Sequence, residues 1–274
     1  MKVTVWGSRG SISSAGPDTV RYGGNTACVS VETDAAICFL DAGSGLRRAG
    51  NAFADDPRPV HLLLTHLHMD HIQGLGFFRP LFQPARPVHI WGPPSTTQDL
   101  RTRLTRYLSP PLFPVRIRDL PARAELHDAP LDPWAIETFE VRSAMVIHPG
   151  PTLGYRISAA GRSVAYLPDH EPALGGRIEL AEWTSGHGLA AGADVLIHDA
   201  QYTRDEYEER PGYGHSSIEH AAQFADLAGA AQLVLFHHAP EHDDDEVDRL
   251  LLQARSMRRR GTADAAREGL TIEL

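Results

Sequence analysis

The sequence predicts an α/β protein of four layers, two β-sheets packed face to face with helices outside. Three observations lead there. β-branched and apolar runs of strand length recur through both halves of the 274-residue chain. Helix-like stretches are set between those runs in each half. No linker, low-complexity tract or short repeat interrupts the sequence, so residues 1–274 are expected to form a single domain.

Taken in order, residues 2–6, 26–33 and 36–40 read as strands separated by turn residues. The glycine- and serine-rich stretch "SRGSISSAGPDTVRYGGN" is a long loop, a length often tied to function. Within it Gly23, Gly24 and Asn25 are expected to make a tight turn near the site, and Arg9 to lie at the surface or to reach a phosphate. A helix follows "DAGSG", then a short strand at 60–64 and helical sequence from Asp70. Residues 88–91 read as a strand and 95–108 as a helix; "SPPLFPVRIRDLP" is broken by prolines. The second half offers strands at 134–147, 152–158, 162–167, 194–198 and 232–236, helices at 216–228 and 243–258, and a last strand near 269–273.

Composition is ordinary for a globular protein, 42% hydrophobic and 22% charged. With 26 basic against 35 acidic residues the net charge is −9, which does not attract a polyanion over the whole surface. The basic run Arg258–Arg260 and the acidic run Glu241–Glu246 read as solvated helix ends. No apolar run approaches the roughly 18 residues of a membrane span, and "MKVTVWGSRGS" lacks a signal-peptide apolar block. These features lead us to expect a cytoplasmic protein without membrane contact. Cys28 and Cys38 sit in strand-like segments and are expected to be buried thiols.

The chemistry concentrates in "THLHMDH", residues 65–71, directly after the apolar "PVHLLL". His66 and His68, two apart, share a face only in extended chain. Asp70 and His71 are adjacent and fit a helix start. The stretch therefore aims two pairs of ligand-type side chains at two nearby points, and imidazole with carboxylate suits zinc and similar divalent ions. "MVIHPG", "VAYLPDH" and "LVLFHHAP" repeat the pattern, each an apolar run ending in His148, in Asp169 and His170, or in His237 and His238.

On these residues the chain resembles the metallo-β-lactamase-fold hydrolase superfamily. Its H-x-H-x-D-H motif stands here as His66 to His71, and His148, Asp169 and His237 follow in the family's order. The resemblance covers nearly the whole chain. It implies an αββα sandwich of the metallo-β-lactamase type, with two divalent metal ions, zinc or manganese. One ion would take His66, His68 and His148; the other would take Asp70, His71 and His237. Asp169 would bridge them together with a hydroxide. Asp41 of "FLDAGSG" matches an early aspartate that supports the metal loop, whereas His170 is a neighbour and not a ligand. Phe236 stands where a related branch has threonine. Two divalent ions outweigh Asp70, Asp169 and one hydroxide by about one charge, so the site welcomes an anion.

"HPGPTLGYRI" and "GHSSIEHAAQFADLAGAAQLVLFHHAP" resemble the phosphodiesterase and tRNA 3′-processing branch, and the N-terminal segment resembles the phosphoribosyl cyclic phosphodiesterase group. The resemblance implies catalytic roles for Asp70 and for His215. Asp199 of "LIHDAQY" is expected to orient His215, because a carboxylate fixes an imidazole tautomer. The expected activity is hydrolysis of a small phosphodiester, cyclic or open, by the bridging hydroxide. The alternatives are a tRNA 3′-processing endonuclease, set behind because no basic glycine-rich arm is visible, and an ester, thioester or lactone hydrolase. The expected partners are the small anionic substrate and at most a second copy of the chain, with nucleic acid less favoured.

Overall fold

The computed structural model describes residues 1–84, 86–172, 174 and 178–274. Among the described residues, fourteen strands form two seven-stranded mixed sheets. The first contains β1 (Lys2–Gly7), β2 (Cys28–Glu32), β3 (Ile37–Leu40), β4 (Val60–Leu63), β5 (Pro87–Gly92), β6 (Arg123–Asp128) and β14 (Thr271–Glu273), in the order β14-β1-β2-β3-β4-β5-β6. The second contains β7 (Trp134–Ile136), β8 (Phe139–Met145), β9 (Leu153–Ala159), β10 (Arg162–Leu167), β11 (Val195–Asp199), β12 (Gln232–Phe236) and β13 (Thr262–Ala265), and runs β13-β12-β11-β10-β9-β8-β7. In each sheet one half is antiparallel and β3 to β6, or β10 to β13, are parallel.

Strand alternation builds the layers. Cys38, Leu40, Val195, Ile197, Val234 and Phe236 face a shared core between the sheets. The neighbouring Ile37, Phe39 and Leu62 point outward to α1 (Leu46–Ala52), α2 (Met69–Ile72) and α3 (Leu100–Thr105). Leu196, Leu233 and Leu235 point to the other side, where α6 (Ile218–Ala228) and α7 (Asp244–Met257) cover the second sheet. Two shorter helices, α4 (His187–Ala190) and α5 (Arg204–Glu208), precede α6. Four layers follow, as the sequence predicts. Among the described residues no helix is long and apolar enough to cross a membrane.

Several expectations are corrected. The strand expected at 134–147 is a hairpin, because Glu137 turns at φ 48°. The helix expected at 95–108 shortens to α3, capped by the Asp99 side chain on the Thr102 N–H. The sequence reading missed β6 and β13. Arg9 is neither a surface residue nor a phosphate contact. It is fully buried, and its guanidinium donates to the carbonyls of Gly23, Ala239 and His242. The Gly23 turn, at φ 90°, braces Arg9 through its carbonyl. Neither charged run is wholly solvated. Arg258 is buried beside Asp226, and Asp244 is buried accepting the Arg21 and Tyr22 N–H groups. Cys28 and Cys38 are buried free thiols, as expected.

His198 on β11 is fully buried, its ring 4.8 Å from that of Phe224. Its Nδ1 donates to the Asp199 carbonyl, and its Nε2 accepts from His170 Nδ1 at 2.9 Å. Burial lowers its pKa from the ordinary imidazole value of 6.5 to about 4. Between those values the unfolded chain takes up a proton that the folded chain refuses, so acid favours unfolding. Denaturant titrations should show stability falling as the pH drops from about 6.5 to about 4, by up to roughly 3 kcal/mol from this residue. His198→Gln should flatten that slope; an unchanged slope assigns it to other groups.

Candidate metal centre

The site lies on the rim formed by the carboxyl ends of β3, β4, β10, β11 and β12 and the segment after β8. That edge is where open α/β sheets place ligands. Its foundation is Asp41, just past β3, fully buried at a left-handed φ of 59°. Its carboxylate accepts from the Thr65 N–H at 2.7 Å, the Thr65 hydroxyl, His71 Nδ1 at 2.8 Å and the Tyr166 hydroxyl at 3.0 Å. Tyr155 and Leu153 of the second sheet bond the carbonyls of Leu64 and Thr65. The loop after β4 is thus pinned from both sheets before any ion is considered.

Two clusters of donor atoms converge there. In the first, His68 Nδ1 lies 3.2 Å from His148 Nε2, and Asp169 Oδ2 lies 3.7 and 3.8 Å from His66 Nε2 and His148 Nε2. In the second, Asp70 Oδ2 is 3.3 Å from His71 Nε2 and 3.2 Å from His237 Nε2. Asp169 Oδ1 is 3.0 and 3.4 Å from the same two nitrogens. The two oxygens of Asp169 therefore face different clusters. Donors about 2.0–2.2 Å from one tetrahedral ion stand about 3.3–3.6 Å apart, so this spacing fits metal ligation. His66 Nε2 and Asp169 Oδ1 are buried without a hydrogen-bond partner, a costly arrangement unless a cation satisfies them.

The remote nitrogens of His66, His71, His148 and His237 are occupied, which fixes their tautomers. His66 Nδ1 meets the Thr65 hydroxyl, His71 Nδ1 meets Asp41, His148 Nδ1 donates to the Gly214 carbonyl, and His237 Nδ1 donates to Gln201 Oε1 at 2.7 Å. Burial holds His66, His68 and His148 neutral, as ligands must be. Burial opposes ionisation of Asp70 and Asp169 too, but the facing His71 and His237 outweigh it and keep both acids ionised. At His71 the desolvation is outweighed by Asp169, Asp70 and Asp41, which push its pKa up. The cage favours positive charge.

His215 and Asp199 come together as the sequence suggests. Asp199 Oδ2 accepts from His215 Nδ1 at 2.7 Å, and Oδ1 accepts from the Ser216 and Gln201 N–H groups. The His215 ring stacks on His237 at 5.0 Å and meets His148 edge-on at 5.0 Å, so it overhangs both clusters. Burial lowers its proton affinity, but Asp199, Asp169 and Asp70 raise it by more. His170 bonds His198, and His238 bonds the Ala266 carbonyl; neither joins the cage.

Sequence reasoning missed Glu171 and Gln201. Glu171 is fully buried and accepts from the Tyr207 hydroxyl and the Gly212 and Gly214 N–H groups. It shapes the loop that carries His215 and the carbonyl that holds His148. Their only signal was an acid and an amide just beyond strands that end in Asp169 and Asp199. Beside the first cluster opens a cavity of about 400 Å³, walled by His66, His68, Met69, Arg103, Arg106, Tyr107 and Leu112 among others.

A family model described as "Beta-lactamase superfamily domain" matches residues 38–238. The chain belongs to this superfamily and is a metal-dependent hydrolase. Relatives include the Ribonuclease Z of Myxococcus xanthus (strain DK1622), 28% identical over 91% of this chain and 92% of that protein. The Ribonuclease Z of Mycolicibacterium gilvum (strain PYR-GCK) is 31% identical over 88% of this chain and 85% of that protein. Among solved structures, the metallo-β-lactamase-fold protein YhfI of Bacillus subtilis superposes with a TM-score of 0.71 at 21% identity, covering 100% of this chain and 99% of that one. The family and the donor set together imply divalent metal.

Gly10 lies directly under His237; a Cβ there would stand 2.4 Å from His237 Nδ1. Gly10→Ala should displace that ring, lower the metal content and abolish most hydrolysis while the far-ultraviolet spectrum stays native. Full metal content in this variant would show that His237 tolerates the shift.

Proposed function

We propose that the chain is a binuclear phosphodiesterase in which His66, His68 and His148 hold one ion, Asp70, His71 and His237 hold the other, and Asp169 bridges them. The observation that carries this reading is the division of the two Asp169 oxygens between two donor clusters. The imidazole-rich donor set suits zinc, and two divalent ions held there would lower the pKa of bound water towards neutrality and would polarise a phosphoryl oxygen. The whole chain, 1–274, acts as one catalytic unit.

The remaining work falls to the protein's own groups. Asp70 accepts the Ser11 N–H at 2.9 Å, which ties the N-terminal loop to the cage and orients the carboxylate. His215, its Nδ1–H held by Asp199, presents Nε2 to the leaving oxygen and donates a proton to it. Asp199 is a positioning residue that fixes the tautomer and keeps the ring charged. Arg106, exposed at the cavity mouth and bonded to Gln98, supplies positive charge to an anionic substrate.

RNA is the first substrate class. It is supported by relatives named Ribonuclease Z that match 88–91% of the chain, and it reverses the order that the net charge of −9 suggests. A small phosphodiester is the second reading, supported by the cavity of about 400 Å³. Steady-state assays on a precursor tRNA, an aryl phosphodiester, cyclic nucleotides, a cyclic ribose phosphate and a lactone and thioester panel separate the cases. Cleavage of the precursor at its 3′ side is expected; turnover of the lactone or thioester alone would falsify the phosphodiesterase reading.

Two variants test the roles. Asp169→Ala should lose bound metal together with activity by elemental analysis, and two retained ions would remove it from the bridge. His215→Ala should keep its metal and lose rate by roughly 10²–10⁴-fold, most for substrates with poor leaving groups. A uniform loss across leaving groups would contradict proton donation by His215.

A further inference from the structure

Away from the rim, the parallel pairing of β5 with β6 sets His89 opposite Glu125 and Trp91 opposite His127. Residues two apart on a strand share a face, so His89, Glu125 and His127 project together. His89 Nδ1 lies 3.2 Å from His127 Nε2 and 3.6 Å from Glu125 Oε2, and all three ligand atoms fall within 4.8 Å of one another. Two nitrogens and a carboxylate oxygen on one ion at about 2.0–2.2 Å would stand about 3.3–3.6 Å apart. We propose that His89, Glu125 and His127 form a second metal site, for a single late transition-metal dication such as zinc, separate from the catalytic rim.

The surroundings suit a ligand set more than a solvated strand face. Trp91 stacks on His127 with ring centroids 4.2 Å apart, and the buried His61 stacks on His89 at 4.8 Å. Trp91 also approaches Trp134 of β7 at 6.0 Å, so the aromatic pair closes the flank of the intersheet core beside the cluster. His61 Nδ1 accepts from Trp91 Nε1 at 3.4 Å, and its Nε2 is buried without a partner. Burial and the neighbouring His89 lower the proton affinity of His127, so protons compete weakly for that ring, and burial pushes the adjacent His61 down to about 4. His89 and Glu125 are half-exposed at 24% and 38% of the side chain, which leaves an open coordination position and a path for the ion. A three-ligand site with nitrogen and oxygen donors fits zinc, nickel or copper and does not fit the all-oxygen preference of calcium or magnesium.

The site has a structural use. β6 is the outermost strand of its sheet, and an unpaired edge invites pairing with other chains. An ion tying Glu125 and His127 to His89 on β5 fastens that edge to its neighbour. The donor set of this site, His89, Glu125 and His127, shares no residue with the donor clusters of the rim.

The test counts metal in the intact, zinc-loaded protein. After equilibrium dialysis against zinc, wild type should hold one equivalent per chain more than His127→Ala or His89→Ala, with activity on the aryl phosphodiester unchanged. Equal zinc content in wild type and variants overturns the site. The count is independent of the substrate, so it stands whether or not the phosphodiesterase reading does. Should those variants fail to fold, His127→Gln, which keeps a polar side chain of similar reach on the edge strand, decides. It should also hold one equivalent of zinc less than wild type, and an equal count overturns the proposal.

Discussion

The Asp41 carboxylate is the interaction on which the rest of the centre depends. It sits fully buried, in a backbone conformation that non-glycine residues rarely adopt, and collects donors from the metal loop and from β10 of the opposite sheet. Burying a charge costs several kcal/mol unless its lone pairs are filled, and here four kinds of donor fill them. The same carboxylate fixes the His71 tautomer and, through Thr65, the orientation of His66. One acid at the end of β3 thereby sets the aim of side chains on both sides of the cage.

A second constraint is the direction of the strands. Parallel strands must all end on one rim, so residues far apart in sequence arrive together without long excursions of chain. Asp199 shows how this is used. It closes β11 and accepts from His215, Ser216, Gln201 and the His170 N–H, so one carboxylate organises four segments. His237 leaves β12 at φ 62°, a second left-handed residue at the rim, and the strain turns its ring back toward Asp70.

The sequence disclosed the cage more fully than the fold around it. Four ligand-type residues in "HLHMDH" have no role in an apolar strand end, so their chemistry was plain; Asp41 and His215 followed from the family pattern, and Asp199 from the use of a carboxylate to orient an imidazole. β6 and β13 were hidden because "RAELHD" and "TADA" carry few β-branched residues; their pairing comes from neighbours, not from propensity. Glu137 broke an apparently continuous strand without glycine or proline to mark it. Arg9 misled for the opposite reason. A charged residue in a polar loop reads as exposed, and only the Gly23 turn and the loop ahead of α7, through Ala239 and His242, supply carbonyls enough to bury a guanidinium beside Asp244.

The clusters draw on both halves of the sandwich. His66, His68, Asp70 and His71 come from the first sheet's rim, and His148, Asp169 and His237 from the second. Any ion seated there is a cross-link between two layers that otherwise meet through apolar side chains and a few hydrogen bonds from Leu153, Tyr155 and Tyr166. Its binding energy is then also cohesion of the sandwich, and cohesion becomes a function of free metal concentration. In a metal-starved cell such a protein would report scarcity through its lifetime against proteases as well as through its catalytic rate.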